Sequence, residues 1–196
     1  MDITSAEFVV SNSRADMCPQ THLPEYAFIG RSNVGKSSLI NMLTKNPKLA
    51  MTSATPGKTL LINHFLINKE WYLVDLPGYG YAKVSNEIKA KWGRMIENYL
   101  HGSKQLKAVF LLVDIRHEPS VNDKDMYQWI VAQGYEPVII ATKLDKIKRS
   151  QVQKQVKAIK QGLQVEKGTR VIPFSAETKQ GREEIWSVIE GFLDAE

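Results

Sequence analysis

The sequence predicts an α/β fold, a mostly parallel sheet with one antiparallel hairpin and helices on both faces. Three observations point to it. Short apolar runs alternate with longer amphipathic ones along the chain, as in a sheet wound with helices. Most of the short runs are continuously apolar, as strands covered on both faces are. One pair of runs is separated only by Asn68, Lys69 and Glu70. That link is too short for a parallel crossover, so the pair reads as a hairpin.

Strands are expected at 26–29, 60–67, 71–75, 108–114, 138–142 and 170–174, and helices near 36–46, 87–101, 121–134, 149–163 and 180–193. In 149–163, Val152, Val156, Ile159 and Leu163 recur at helical spacing. Ile88, Trp92, Met95, Ile96 and Tyr99 do the same in 87–101. These stripes read as core faces. Gly134 stands where a helix should end, ahead of Pro137 and the next strand. Residues 1–196 read as one domain, with 1–22 a short, loosely held N-terminal extension.

Composition narrows the class. The 196 residues are 43% hydrophobic and 24% charged, ordinary for a globular protein. No stretch of about 18 apolar residues is present, so no membrane span is expected. The start carries Asp2 and no basic segment, so it does not read as a secretory signal. Cys18 is the only cysteine, which excludes an intramolecular disulfide and fits a free thiol in a reducing, cytoplasmic setting. The histidines are scattered without ligand spacing, so no structural zinc is expected. A monomer is expected.

The chemistry begins where the strand at 26–29 runs into Gly30-Arg31-Ser32-Asn33-Val34-Gly35-Lys36-Ser37, followed by Ser38. This is the P-loop pattern G-x-x-x-x-G-K-S. Its glycines let backbone N–H groups face phosphate oxygens, at the positive end of the following helix. Lys36 supplies charge for the β- and γ-phosphates, and the Ser37 hydroxyl is a hard oxygen ligand for Mg²⁺. Asp75-Leu76-Pro77-Gly78 closes a later strand. Asp75 can hold Mg²⁺ through water, and the Gly78 N–H can meet the γ-phosphate.

Thr142-Lys143-Leu144-Asp145 is a variant of the guanine-reading N-K-x-D pattern. A carboxylate at Asp145 accepts from the adjacent N–H donors of guanine and would clash with adenine. Ser175 and Ala176, directly after Phe174, stand where such proteins offer backbone N–H groups to the guanine oxygen. The hydroxyl-rich segment 52–59 reads as a first switch. Thr59 is the preferred threonine for closing onto Mg²⁺ and γ-phosphate, with Thr52 and Thr55 as competitors. Together these motifs predict a P-loop GTPase, Ras-like fold. A nucleotide kinase would not need the Thr142–Asp145 element.

At this point the chain resembles the EngB (YihA/YsxC) family of bacterial ribosome-biogenesis GTP-binding proteins. The resemblance rests on G-R-S-N-V-G-K-S at 30–37, P-G-K-T at 56–59, D-L-P-G-Y-G-Y-A-K-V at 75–84, K-W-G-R-M-I at 91–96, V-D-I-R-H at 113–117 and T-K-L-D at 142–145. It implies Ser37 and Thr59 as Mg²⁺ ligands, and Gly57 and Lys58 among the nucleotide contacts. It also implies assembly of the large ribosomal subunit, with that subunit or its precursor as partner. The alternative is a GTP-dependent factor in cell division or septation that does not act through the ribosome. The C-terminus shows no lipidation signal that would favour a membrane role.

Charge distribution is compatible with an RNA partner. The segment 143–170 holds Lys143, Lys146, Lys148, Arg149, Lys154, Lys157, Lys160, Lys167 and Arg170 against Asp145 and Glu166. A second cluster is Lys83, Lys89, Lys91 and Arg94. Such cations can meet RNA phosphates, or form a solvated lysine-rich face. For hydrolysis, Tyr79 occupies the position where Ras-like proteins place a water-orienting glutamine, so slow intrinsic turnover is expected. The candidate catalytic groups are Lys36, Thr59, Gly78 and Asn33. Asn33 either coordinates a potassium ion beside the phosphates or shapes the loop through a local bond.

Overall fold

The computed structural model describes residues 1–50, 60–80 and 85–195. Its centre is a seven-stranded sheet in the order β1-β3-β4-β2-β5-β6-β7. The strands are β1 (Ala6–Asn12), β2 (Glu25–Gly30), β3 (Ile62–Ile67), β4 (Trp71–Asp75), β5 (Leu106–Asp114), β6 (Val138–Thr142) and β7 (Val171–Pro173). The main helices are α1 (Lys36–Leu43), α2 (Asn86–Gly102), α3 (Val121–Ala132), α4 (Val152–Leu163) and α5 (Arg182–Leu193). From β4 through β2, β5 and β6 to β7 every pairing is parallel.

The expected hairpin is β3–β4, antiparallel, with Ile67 opposite Trp71. Asn68 and Lys69 take φ 53° and 57°, and the Glu70 N–H donates to the Ile67 carbonyl at 2.9 Å. Two left-handed residues in succession match the right-handed twist of the flanking strands.

The apolar runs are continuous because the sheet buries both faces. Along β5, Val109, Leu111 and Val113 join a core with α2, α3 and α4 residues such as Ile96, Ile130 and Ile159. Ala108, Phe110 and Leu112 alternate onto the other face with Leu39, Ile40, Ile185 and Ile189 of α1 and α5. Phe28 and Phe110 stack there at 4.6 Å between ring centroids. Each buried aliphatic side chain contributes roughly 1.5–3 kcal/mol. Ser120 and Asp123 form a capping box on α3, and α3 stops two residues before Gly134. Buried Glu25 ties the start of β2 to the end of α2, accepting from the Tyr99 hydroxyl at 2.6 Å and from Ser103 at 3.2 Å.

One sequence expectation is corrected. The N-terminal segment is not wholly a loosely held extension, because Ala6–Asn12 forms the edge strand β1, antiparallel to β3. Asn68 Oδ1 accepts from the Thr4 and Ser5 N–H groups at 2.7 and 3.2 Å, fixing the approach to the strand. The Met1 ammonium lies 2.9 Å from Glu190 of α5.

Candidate nucleotide site

The predicted nucleotide motifs within the described residues fall at the carboxyl edge of the sheet. Gly30 ends β2, Asp75 ends β4, Asp114 ends β5, Thr142 ends β6, and Phe174 follows β7. Ligands of open α/β sheets bind at this edge.

After β2 the chain curls through the P-loop into α1. Asn33 has φ 63°, a left-handed conformation that asparagine tolerates better than most residues. Gly35 has φ 101° and serves as the N-cap of α1. Lys36 is the first residue of α1, so Ser37 and Ser38 lie in its first turn. The P-loop is stitched to the strand end that follows Asp75. The Ser32 N–H donates to the Tyr79 carbonyl at 2.9 Å, and the Tyr79 N–H donates to Gly30 at 3.3 Å. A Cβ on Gly78 would lie 3.3 Å from the Gly30 carbonyl, so glycine permits this close approach. The Lys36 ammonium crosses the gap to the Asp75 carboxylate and the Leu76 carbonyl. Asn63 Nδ2 lies 3.4 Å from the other Asp75 oxygen.

The base-side loop is held just as closely. Thr142 is buried, and its hydroxyl donates to the Val34 carbonyl at 2.7 Å and approaches that of Val113 at 3.2 Å. Its side chain therefore braces the P-loop. Lys143 has φ 65° and donates through Nζ to the Asn33 carbonyl at 3.0 Å. Asp145 Oδ1 accepts from the fully buried Ser175 hydroxyl at 2.9 Å, and its Oδ2 lies 3.4 Å from Lys146 Nζ. Partial desolvation pushes the Asp145 carboxyl up. The Ser175 hydrogen bond and the Lys146 charge outweigh it, so it is held below the usual value and ionised. Phe174 is buried, and its carbonyl accepts the Leu144 N–H at 3.0 Å. Its side chain belongs to the core. Ala176 packs partly buried beside that core.

Arg31 and Val34 lie within the P-loop, with Val34 buried. Gly57, Lys58 and Thr59, with the competing Thr52 and Thr55, lie outside the described residues.

For two residues inside these motifs the sequence offers no partner, and the structure supplies one. Tyr79 is buried and its hydroxyl donates to Asp123 Oδ1 at 2.7 Å, so the phenol points toward α3. Burial, then the Asp123 charge and hydrogen bond, push that phenol's pKa far up, so it stays protonated. The second is Asp114, opposite Thr142 in the β5–β6 register. Its Oδ1 accepts from the Arg116 N–H at 2.9 Å and Nε at 3.0 Å, and its Oδ2 from Arg116 Nη2 at 2.8 Å. Lys143 Nζ lies 3.3 Å from the same Oδ2. Burial alone would raise this carboxyl. The Arg116 hydrogen bonds and the Lys143 charge hold it down to about 2. An acid ending an apolar strand at the ligand edge was the available signal.

Comparison with known proteins decides the family. Residues 25–143 match the family described as 50S ribosome-binding GTPase, and residues 94–195 match the elongation factor Tu GTP binding domain. A "Probable GTP-binding protein EngB" of Lachnoclostridium phytofermentans is 55% identical over 194 residues, covering 99% of this chain and 96% of that protein. A namesake from Lachnospira eligens is 61% identical over 175 residues, covering 89% and 83%. The chain belongs to the EngB family of GTP-binding proteins. A solved EngB structure superposes with a TM-score of 0.71 at 25% identity, covering 88% of this chain and all of that one. Era of Aquifex aeolicus, at 22% identity and a TM-score of 0.67, shares the fold, covering 87% of this chain and 56% of its own. With its P-loop GTPase fold, this EngB-family chain binds guanine nucleotides and hydrolyses GTP. Among the described residues, no helix is long and apolar enough to cross a membrane.

Proposed function

We propose that the chain is a nucleotide-dependent switch in assembly of the large ribosomal subunit, a monomeric cytoplasmic GTPase that turns over slowly alone. The observation that carries the ribosomal part is the match of residues 25–143 to a family of ribosome-binding GTPases. The exposed Lys154, Lys157 and Lys160 of α4 support it, since clustered cations suit RNA phosphates.

In this reading Lys36 exchanges Asp75 and Leu76 for the β- and γ-phosphate oxygens. The Gly78 N–H meets the γ-phosphate. Asp145, oriented by Ser175, reads the guanine edge, while backbone N–H groups at Ser175 and Ala176 take its oxygen. The hard oxygens of Ser37 and Asp75, together with Thr59, fit Mg²⁺, with Asp75 acting through water. Bound Mg²⁺ would neutralise charge between the β- and γ-phosphates. The Tyr79 phenol is held by Asp123, which supports slow intrinsic turnover. A potassium ion beside Asn33 is a second way to balance charge, and its test is hydrolysis in KCl against NaCl for parent and Asn33→Ala.

Sedimentation with large ribosomal subunits under GTP, GDP and no nucleotide tests the whole reading. Cosedimentation that depends on the nucleotide is expected. If the protein binds GTP normally yet sediments with subunits in no state, the ribosomal role fails and the division alternative gains. At the base, Asp145→Asn should weaken GTP and GDP binding and admit xanthine nucleotides. Unchanged preference in competition assays would remove Asp145 from the guanine site.

A further inference from the structure

We infer that Asp114 is a positioning residue of the guanine site, which acts through Lys143 to bind the base-side loop to the P-loop and slow nucleotide release. The inference rests on the reading of Lys143 and Asp145 as that base-side loop.

The geometry forms a relay. Arg116 turns its backbone N–H, Nε and Nη2 onto one carboxylate, which fixes the plane of the Asp114 side chain. The oriented Oδ2 lies 3.3 Å from the Lys143 ammonium. The same ammonium donates to the Asn33 carbonyl in the P-loop at 3.0 Å. Strand β5 lies between β2, which feeds the P-loop, and β6, which feeds the base-side loop. Asp114 therefore stands on the one strand that borders both. Its side chain is 5% exposed, whereas that of Lys143 is 30% exposed. A lysine ammonium on a flexible four-carbon stem has many rotamers and strong hydration. A fixed, largely buried carboxylate beside it restricts that freedom and keeps the ammonium on the Asn33 carbonyl. Lys143 also holds a left-handed backbone at φ 65°, a conformation that persists only where its surroundings over-determine it. The Thr142 hydroxyl joins the same two loops through Val34. The ammonium contact is then the adjustable one of the two ties.

The substitution Asp114→Asn breaks the relay at Oδ2, which faces both the Lys143 ammonium and Arg116 Nη2; the double variant with Lys143→Ala separates the two losses. An asparagine can keep its oxygen toward the Arg116 N–H and Nε, which leaves its amide N–H₂ facing the Lys143 ammonium. Two donors then meet where a donor met a carboxylate. The measurement is release of a fluorescent N-methylanthraniloyl GDP from the full chain, for Asp114→Asn, Lys143→Ala and the double variant. Each single variant should release the nucleotide about tenfold faster, a plausible loss for one close charge pair. The double variant should release it no faster than Lys143→Ala alone. If Asp114→Asn accelerates release by the same factor in both backgrounds, the residue acts on the fold at large and the inference is overturned. No acceleration in the parent background overturns it as well. If Lys143→Ala itself leaves release unchanged, the guanine-site reading falls first and takes this inference with it. Asp114→Ser keeps an acceptor for the Arg116 N–H and is the second variant should the amide not fold.

Discussion

Tyr79 shows how one side chain can leave a catalytic position by joining the core. Its backbone is paired with Gly30 and Ser32 beside the phosphates, yet its hydroxyl donates to buried Asp123 on α3. Tyr79→Phe leaves Asp123 short of a buried donor, at a cost of about 1–3 kcal/mol. Urea unfolding should show that loss, while single-turnover GTP hydrolysis stays within a factor of two. A large fall in hydrolysis would return the phenol to the chemistry. Asp114 makes a prediction on the acid side. Its carboxyl is held down to about 2 from an ordinary 3.8. A depressed folded pKa gives stability that is fully present above the unfolded value and is lost as pH falls through the folded one. Between pH 4 and 2, the urea midpoint should therefore drop less steeply for Asp114→Asn than for the parent. Parallel slopes would show that the carboxylate is not preferentially stabilised in the fold.

Helix α4 presents Lys154, Lys157 and Lys160 to solvent, spaced so that they share one side, while Ile159 and Leu163 are buried. Like charges at this spacing repel by a few tenths of a kcal/mol per pair. Replacing all three with glutamine should therefore raise the urea midpoint slightly. The same change should lower RNA affinity and reduce the salt slope of binding by roughly two, as expected when about three phosphate contacts are lost. An unchanged slope would make α4 a solvated face only. The elements themselves were unevenly legible. Strands β5 and β6 stood out because both faces are buried and every residue is apolar from Ala108 to Val113 and from Val138 to Ala141. Strand β1 did not, because it pairs on one edge only and leaves Phe8 and Val9 exposed. A strand with one neighbour and an open face has neither a continuous nor a cleanly alternating pattern. Helix α1 was expected to 46 and ends at Leu43, where Thr44 turns its hydroxyl back to Ile40 and Lys45 takes φ 53°.

Across the whole molecule, the candidate site was readable where a short motif asks for one residue type at one spacing, as in the P-loop and at Asp75 and Asp145. It was not readable where partners come together only through folding. The Tyr79–Asp123 pair joins the segment after β4 to the first turn of α3, and Asp114 reaches Lys143 only because β5 and β6 are neighbours. No local spacing encodes either contact. Because the P-loop, the Asp75 strand end and the base-side loop are joined by hydrogen bonds, a bound nucleotide should stabilise the domain as a unit. At about 100 times its dissociation constant, GDP should add roughly 2.7 kcal/mol. A thermal transition unmoved by GDP but present throughout would show that the site is not coupled to the fold.

The Lys36–Asp75 contact has a consequence for the order in which ligands are accepted. The ammonium that phosphates would attract is already neutralising the carboxylate that magnesium would approach. A divalent ion arriving by itself must compete with a tethered cation, and a nucleotide arriving by itself must draw Lys36 off its anion. When the two come together, each removes the other's obstacle. If Mg²⁺ binds as proposed, the pair would act as a coincidence gate, and titration calorimetry should find weak heats for Mg²⁺ alone and a strong mutual enhancement when both are present. Equal Mg²⁺ affinity with and without GDP would mean that the gate is not there.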